Sequence, residues 1–149
     1  MNRTFKHVNK DLLLDIFGDD IEIILDMVDV FVNMATSYYK DILEDYENKK
    51  WFELGLVAHK AKGSCRTMGL QNIGESLHKI ENNAKGIAYN ELDENRNLSH
   101  DQEKLYQTML KEGQKEGDTN IIDKEILYLK NNFEEAVQEL VSLKESLNK

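Results

Sequence analysis

Apolar residues recur at alternating steps of three and four in four long segments of this sequence, and no other feature restricts its fold as strongly. That spacing places the apolar side chains on one face of an α-helix, where they can be buried together. The chain has no proline and only 8 glycines, so it lacks the frequent turn signals of β-rich domains. Four amphipathic helices predict an all-α fold, an antiparallel up-and-down four-helix bundle.

The apolar stripes set the expected bounds of the bundle helices at about residues 20–46, 50–68, 70–87 and 121–147. The stripes themselves run from Ile21 to Ile42, from Leu54 to Met68, from Leu70 to Ile87 and from Ile122 to Leu147. Asp19 and Asp20 suit the amino end of the first helix, because acids accept hydrogen bonds from its unpaired N–H groups. Gly69 suits the end of the second, since glycine tolerates the left-handed closing conformation.

Two further segments lie outside the predicted bundle helices. A short amino-terminal helix is expected to cap one end of the bundle through Val8, Leu12, Leu13, Ile16 and Phe17. Residues 88–120 form a polar insertion before the last helix, containing Gly113 and Gly117. Within the insertion, Ser99 and Gln102 resemble a capping box for a short helix with an apolar face of Leu105, Tyr106, Met109 and Leu110. Loops of this length are usually functional or disordered, and the sequence leaves both open.

Length, charge and cysteine content limit the class of protein. A chain of 149 residues is about the size of one domain, so residues 1–149 are expected to form a single domain. The net charge of -9 argues against nucleic-acid binding, which needs clustered Lys and Arg. Cys65 is the only cysteine, so neither an intrachain disulfide nor a thiolate zinc cluster can form. With no secretory signal and no apolar run of about 18 residues, we expect a cytoplasmic protein without membrane contact.

The second predicted helix carries a polar stripe beside its apolar one, formed by Gly55, His59, Lys62 and Arg66. One residue along a helix is a rotation of about 100°, so this stripe is expected to lie at least partly in water. A neutral imidazole is a good nucleophile for a phosphoryl group, and Lys62 lies close enough to stabilise the phosphoryl oxygens. Gly63 costs a helix interior about 1 kcal/mol, and close approach of a partner to His59 would explain it.

Charge and apolarity around His59 agree with a docking site. The 21 residues from Leu54 to Gly74 contain no Asp or Glu but include Lys60, Lys62 and Arg66, which makes a basic island on an acidic protein. The first bundle helix has a second apolar row, Ile23, Met27, Val30 and Met34, beside its core stripe. Met27 and Met34 are open to two interpretations, extra core or partner docking.

The segment AHKAKGSCRTMGLQNIGESLHKIENNAKG, from Ala58 to Gly86, resembles the signature of histidine phosphotransfer (Hpt) domains of bacterial phosphorelays. The matching positions are Ala58, His59, Lys62, Gly63, Ser64 and Gly69. The likeness extends from about Leu12 to Ile87 and includes the last helix. The chain departs from the family mainly in its long insertion, which could hold partner specificity.

The resemblance implies a phosphocarrier that accepts a phosphoryl group on His59 and exchanges it with an aspartate of a response-regulator receiver domain. It implies a sensor or hybrid histidine kinase as a second partner, no kinase activity in the chain, and no cofactor or metal of its own. The Mg²⁺ needed for transfer is expected in the receiver. Lys60, Ser64, Gly55 and Arg66 are predicted to help a partner approach or dock, and the chain is expected to act as a monomer and an independent protein.

Two other classes of function remain open at this point. A purely structural helical adaptor would give the same apolar stripes. A bundle enzyme with a metal or cofactor is weaker, because such sites use inward-facing Glu and His, and no core stripe contains either. The remaining histidines, His7, His78 and His100, are expected to be solvated, and Cys65 is expected to be inert core packing.

Overall fold

The computed structural model describes residues 5–18, 20–94, 98–112 and 116–148, without the side chains of residues 92–94, 109 and 112. Helices account for the regular structure of these residues, and no strand occurs among them, which confirms the predicted all-α class. The helices are α1 Lys10–Phe17, α2 Ile21–Glu47, α3 Trp51–Thr67, α4 Gln71–Glu94, α5 His100–Glu112 and α6 Thr119–Leu147. None of the described helices is both long enough and apolar enough to cross a membrane.

Helices α2, α3, α4 and α6 surround one apolar core. Each packs against two others: α3 lies between α2 and α4, and α6 lies between α4 and α2. Contacts along the pairs run in opposite directions. Along α2 and α6, Asp29 contacts Lys144 and the later Tyr46 contacts the earlier Asp123. Along α4 and α6, Ser76 donates to the backbone carbonyl of Glu125, and the later Asn83 side chain accepts from the N–H of Asp118, which caps the start of α6. The four helices therefore form an antiparallel bundle.

The predicted apolar stripes supply this core. Their members are buried along all four bundle helices, including Ile24, Phe31, Leu54, Cys65, Leu77, Ile80, Leu129 and Leu140. Ile21 is an exception, because it is 45% exposed. It is the first residue of α2, at the end of that helix. Burial raises the pKa of the Cys65 thiol to about 12, as expected for inert packing.

The predicted capping helix is present as α1, but the segment before it is held more firmly than the sequence indicated. Backbone N–H groups of Lys6, His7 and Val8 all donate to the Glu139 carboxylate on α6. The His7 side chain is only 2% exposed, and its Nε2 lies 3.0 Å from Glu135. The expectation that His7 is solvated was therefore wrong, because the segment lies against α6 and buries the ring.

The insertion begins later than predicted. Helix α4 continues to Glu94 rather than ending near residue 87. Helix α5 packs against it through parallel stacked rings of Tyr89 and Tyr106, with centroids 5.1 Å apart. The predicted capping box is confirmed, since Gln102 N–H donates to the Ser99 side chain and Ser99 N–H donates to the Gln102 side chain. Of the predicted apolar face, Leu110 is exposed and the Met109 side chain lies outside the described residues.

Gly69 joins α3 to α4 in the left-handed conformation, with φ of 75°, as its position predicted. It also lies against the amino-terminal segment. The N–H of Asn9 donates to the Gly69 carbonyl, and a Cβ at Gly69 would stand 2.8 Å from the Asn9 carbonyl oxygen. A side chain at this position would therefore collide with backbone as well as strain its own φ.

Gly69→Ala is expected to lower the free energy of unfolding by about 1 to 3 kcal/mol, because it adds backbone strain and separates α1 from the α3 to α4 turn. Gly63→Ala is the matched control. Gly63 lies inside α3 with open space around it, so alanine there is expected to raise stability by about 0.5 to 1 kcal/mol. Urea unfolding of both variants checks this. Equal effects of the two substitutions would contradict the geometry at Gly69.

Candidate functional site

His59 projects from the middle of α3 beside the buried residues Ala58 and Ala61. Its side chain is 62% exposed, as predicted for a residue on the flanking polar stripe. The ring is nevertheless anchored, because Nδ1 lies 2.9 Å from Oε2 of Glu81 on α4. Among the described residues, no hydrogen bond engages the other ring nitrogen, Nε2. The contact with Glu81 thus holds an accessible imidazole in one orientation.

Glu81 is the buried centre of the site, and only 6% of its side chain is exposed. Its carboxylate contacts three nitrogen-bearing side chains. Oε2 accepts from His59 Nδ1 at 2.9 Å and from Lys85 Nζ at 2.5 Å, and Oε1 forms an ion pair with Lys62 Nζ at 2.6 Å. We call Glu81 with His59, Lys62 and Lys85 the Glu81 network. It joins α3 to α4 at the level of the exposed imidazole.

The Glu81 network keeps its central carboxylate ionised. Burial raises the pKa of Glu81, but hydrogen bonds from Lys62 and Lys85, with the charge of Lys85 and a hydrogen bond from His59, lower the pKa to about 2. An ionised carboxylate can only accept hydrogen bonds. His59 therefore donates from Nδ1, so a neutral imidazole has its lone pair on Nε2. The network selects the tautomer whose free nitrogen is accessible to a partner.

His78 extends the network along α4. Lys62 donates toward Nδ1 of His78 at 3.4 Å, and Nε2 of the same ring lies 3.1 Å from the side-chain amide of Asn82. The side chain of Lys62 is only 14% exposed as a result. The expectation that His78 is solvated holds only in part, because the residue is half-buried and its ring lies against Lys62. His100 is exposed, as predicted.

A groove of about 440 Å³ runs beside His59 between α2 and α3. Its α2 wall is the second apolar row that the sequence indicated, with Val30 and Met34 exposed and Met27 half-buried. Its α3 wall is polar or small. The residues lining it are Met27, Val30, Phe31, Met34, His59, Lys60, Gly63, Ser64, Thr67 and Met68. The apolar row and the imidazole therefore open onto the same depression in the surface.

Several predicted docking residues lie in or beside this groove. Beyond the neighbouring residues of its own helix, nothing among the described residues lies within 4 Å of where a Cβ at Gly63 would stand, so the space beside this position is open. Lys60 is exposed on the groove wall. Ser64 lies 3.4 Å from the Tyr38 hydroxyl of α2, so it contacts the neighbouring helix as well as the groove.

Gly55 and Arg66, which the sequence assigned to the same polar stripe, both contact α4, but only Arg66 is exposed as expected. Gly55 is buried, because the stem of Lys85 lies across it. Arg66 forms an ion pair with Glu75 at 2.8 Å and lies over Gly74. Both ends of the stripe therefore contact the neighbouring helix, while the side chains of His59 and Arg66 stay exposed.

Sequence reasoning missed Glu81, Lys85 and His78, although a signal for them existed. On α4, Gly74, His78, Glu81 and Lys85 recur at steps of four, three and four, one residue after the core stripe. The α3 stripe of Gly55, His59, Lys62 and Arg66 has the same offset. In an antiparallel hairpin two such stripes face each other. Glu81 of α4 and Glu125 of α6 are buried although neither belongs to a core stripe, so acids can be buried in this bundle even though the stripes contain none.

Comparison with known proteins gives one positive result. A family model described as the Hpt domain matches residues 26–143, well over half of the chain. The matched range includes His59, all of the Glu81 network, α5 and most of α6. Searches among curated proteins and among solved structures gave no match.

The lowered pKa of Glu81 predicts a specific acid sensitivity. Glu81 has a pKa of about 2 in the folded protein against an ordinary 4.5. Its charge therefore stabilises the fold above pH 4.5, and up to about 3 kcal/mol is lost as the pH falls from 4.5 towards 2. Urea unfolding across this range checks it. Glu81→Gln is expected to be less stable at neutral pH and to lose less stability on acidification, whereas Glu75→Gln, at an exposed acid of the same helix, should follow the wild type. Parallel losses in wild type and Glu81→Gln would contradict this account.

Proposed function

Since the chain belongs to the Hpt domain family, the phosphocarrier modules of two-component phosphorelays, we propose that His59 is its phosphoacceptor. His59 accepts the phosphoryl group on Nε2 and relays it to or from an aspartate of a response-regulator receiver domain. A sensor or hybrid histidine kinase is the second partner. The protein acts as a carrier, without kinase activity or a cofactor of its own.

The single observation that carries this proposal is the bond from Nδ1 of an exposed imidazole to a buried, ionised glutamate. It leaves Nε2 as the lone-pair nitrogen, and it restricts the ring so that little rotational freedom has to be lost when a partner docks. A histidine that only solubilised the helix surface would need neither the buried carboxylate nor the lysines around it.

The transfer step follows from this geometry. Nε2 attacks the phosphorus of an aspartyl phosphate, a new N–P bond forms, and the P–O bond to the aspartate breaks, which releases a carboxylate. No proton has to leave His59, because Nε2 is unprotonated at the start. The ring gains positive charge as the bond forms, and Glu81 stabilises that charge through Nδ1–H. The reverse step uses the same contacts.

Positive charge near Nε2 and open space for a partner both favour the transfer step. Phosphoryl transfer depends mainly on positioning and charge stabilisation, and Lys62 supplies positive charge one turn along α3 from His59. The receiver docks over the groove, with its apolar surface on Met27 and Met34. The Mg²⁺ that the transfer requires is held by the receiver. Gly63 lets the receiver backbone approach the imidazole.

The test is a phosphotransfer profile with labelled phosphate, in which the protein is incubated with a panel of autophosphorylated sensor kinases and phosphorylated receivers. We expect an acid-labile, alkali-stable label on the wild type that is absent from His59→Gln and retained by His100→Gln, the control at an exposed histidine of α5. A label that persists in His59→Gln would reject His59 as the acceptor. If no partner labels the wild type, a structural adaptor becomes the better explanation.

The access role of Gly63 gives a further prediction. Gly63→Leu places a branched side chain in the open space beside His59 and is expected to slow transfer with a receiver by at least about tenfold, through a higher KM. Gly63→Ala, which adds one methyl group, should keep most activity. Circular dichroism and urea unfolding establish that both variants fold. Equal transfer rates for Gly63→Leu and wild type would remove the access argument.

A further inference from the structure

Lys85 lies on the same side of the Glu81 carboxylate as His59. Lys85 Nζ and His59 Nδ1 both contact Oε2 of Glu81, at 2.5 and 2.9 Å. Lys62 contacts the other oxygen, Oε1, and is also directed toward His78. The cation that shares an oxygen with the imidazole is therefore Lys85, a residue of α4, rather than the lysine next to His59 on its own helix.

The Glu81 network carries more positive than negative charge. Lys62 alone would balance the single charge of Glu81, and Lys85 then leaves the network with a surplus of one positive charge beneath His59. A glutamate balanced by one lysine would orient the imidazole, but it would offer no net attraction to a phosphoryl group carrying nearly two negative charges. The second lysine supplies that attraction.

Gly55 makes the route of Lys85 possible. A Cβ at Gly55 would stand 3.0 Å from Cγ of Lys85, whereas the nearest backbone atoms, Lys85 N and Glu81 O, would be at ordinary distances of 3.7 and 3.8 Å. The only tight contact is therefore with the Lys85 stem. Gly55 lies one turn before His59 on α3, so the absence of a side chain there leaves room for the Lys85 stem, whose Nζ contacts Glu81 one turn earlier on α4.

We propose that Lys85, seated over Gly55, is a positioning residue of the phosphotransfer site. It holds Glu81 against Nδ1 of His59 and provides the surplus positive charge that stabilises a phosphoryl group on the ring. The charge that Lys85 supplies to a phosphoryl group matters only if the function proposed above is correct. The positioning of Glu81 by Lys85 does not depend on that function, and it can be measured in the unphosphorylated protein.

The experiment compares Lys85→Met, Lys85→Arg, Gly55→Ala and the double variant Gly55→Ala with Lys85→Met. Lys79→Met is the matched control, since Lys79 is an exposed lysine of the same helix whose nearest acid, Glu125, lies 3.9 Å away. Two readouts are taken from each protein. Carboxyl ¹³C NMR gives the titration of Glu81 without phosphate, and labelled phosphate gives the equilibrium ratio of phosphorylated His59 to phosphorylated receiver.

Lys85→Met is expected to raise the pKa of Glu81 from about 2 toward its ordinary range and to shift the phosphoryl equilibrium about fivefold to tenfold toward the receiver, as loss of one nearby charge would do. Lys85→Arg should restore most of both. Gly55→Ala should shift both in the same direction by less and should add nothing in the Lys85→Met background, because it acts through Lys85. Lys79→Met should leave both readouts unchanged.

A Glu81 titration in Lys85→Met that matches the wild type would overturn the positioning role, whatever happens to phosphate. An unchanged phosphoryl equilibrium with a shifted titration would overturn the charge-supply role. If Gly55→Ala has the same effect in the wild type and in Lys85→Met, Gly55 does not act through Lys85, and the explanation that Gly55 makes room for Lys85 is overturned. Absence of label from wild-type His59 would overturn the proposed function and the charge-supply role with it, while the titration would still decide whether Lys85 positions Glu81.

Discussion

A buried carboxylate beneath an exposed imidazole is the interaction on which the rest of this site depends. Glu81 is removed from water, so its charge requires compensation inside the protein, and Lys62 and Lys85 provide it. Their presence keeps the carboxylate ionised and therefore a hydrogen-bond acceptor, which assigns the donor role to Nδ1 of His59. The chemistry proposed at Nε2 follows from that assignment.

The network also depends on the fold that carries it. Helices α3 and α4 form a tight antiparallel hairpin, and each has a polar stripe displaced by one residue from its core stripe. The two stripes meet along the hairpin seam, so Gly55 lies under Lys85, His59 and Lys62 meet Glu81, and Arg66 lies over Gly74. Packing of the core fixes the register of the two stripes, and the site lies where the stripes reach the surface. The apolar row on α2 then supplies a groove beside the imidazole.

Much of the fold could be predicted because helical periodicity is local. The stripes located the bundle helices, Gly69 located the turn, and Ser99 with Gln102 located the start of α5. His59, Lys62 and Gly63 were found for the same reason, since they lie close together on one helix. Glu81 and Lys85 lie more than twenty residues away from His59, and finding them required the hairpin register. The burial of His7 depends on Glu135 and Glu139 of α6, which no local pattern could indicate.

The central claim is that Glu81 fixes the proton of His59 on Nδ1 and thereby directs the phosphoryl group to Nε2. Long-range ¹⁵N NMR of the histidine-labelled protein tests it most directly, before and after phosphorylation. We predict a neutral His59 ring protonated on Nδ1, with phosphorus coupled to Nε2 in the phosphorylated protein. A ring protonated on Nε2, or phosphorus coupled to Nδ1, would contradict the account.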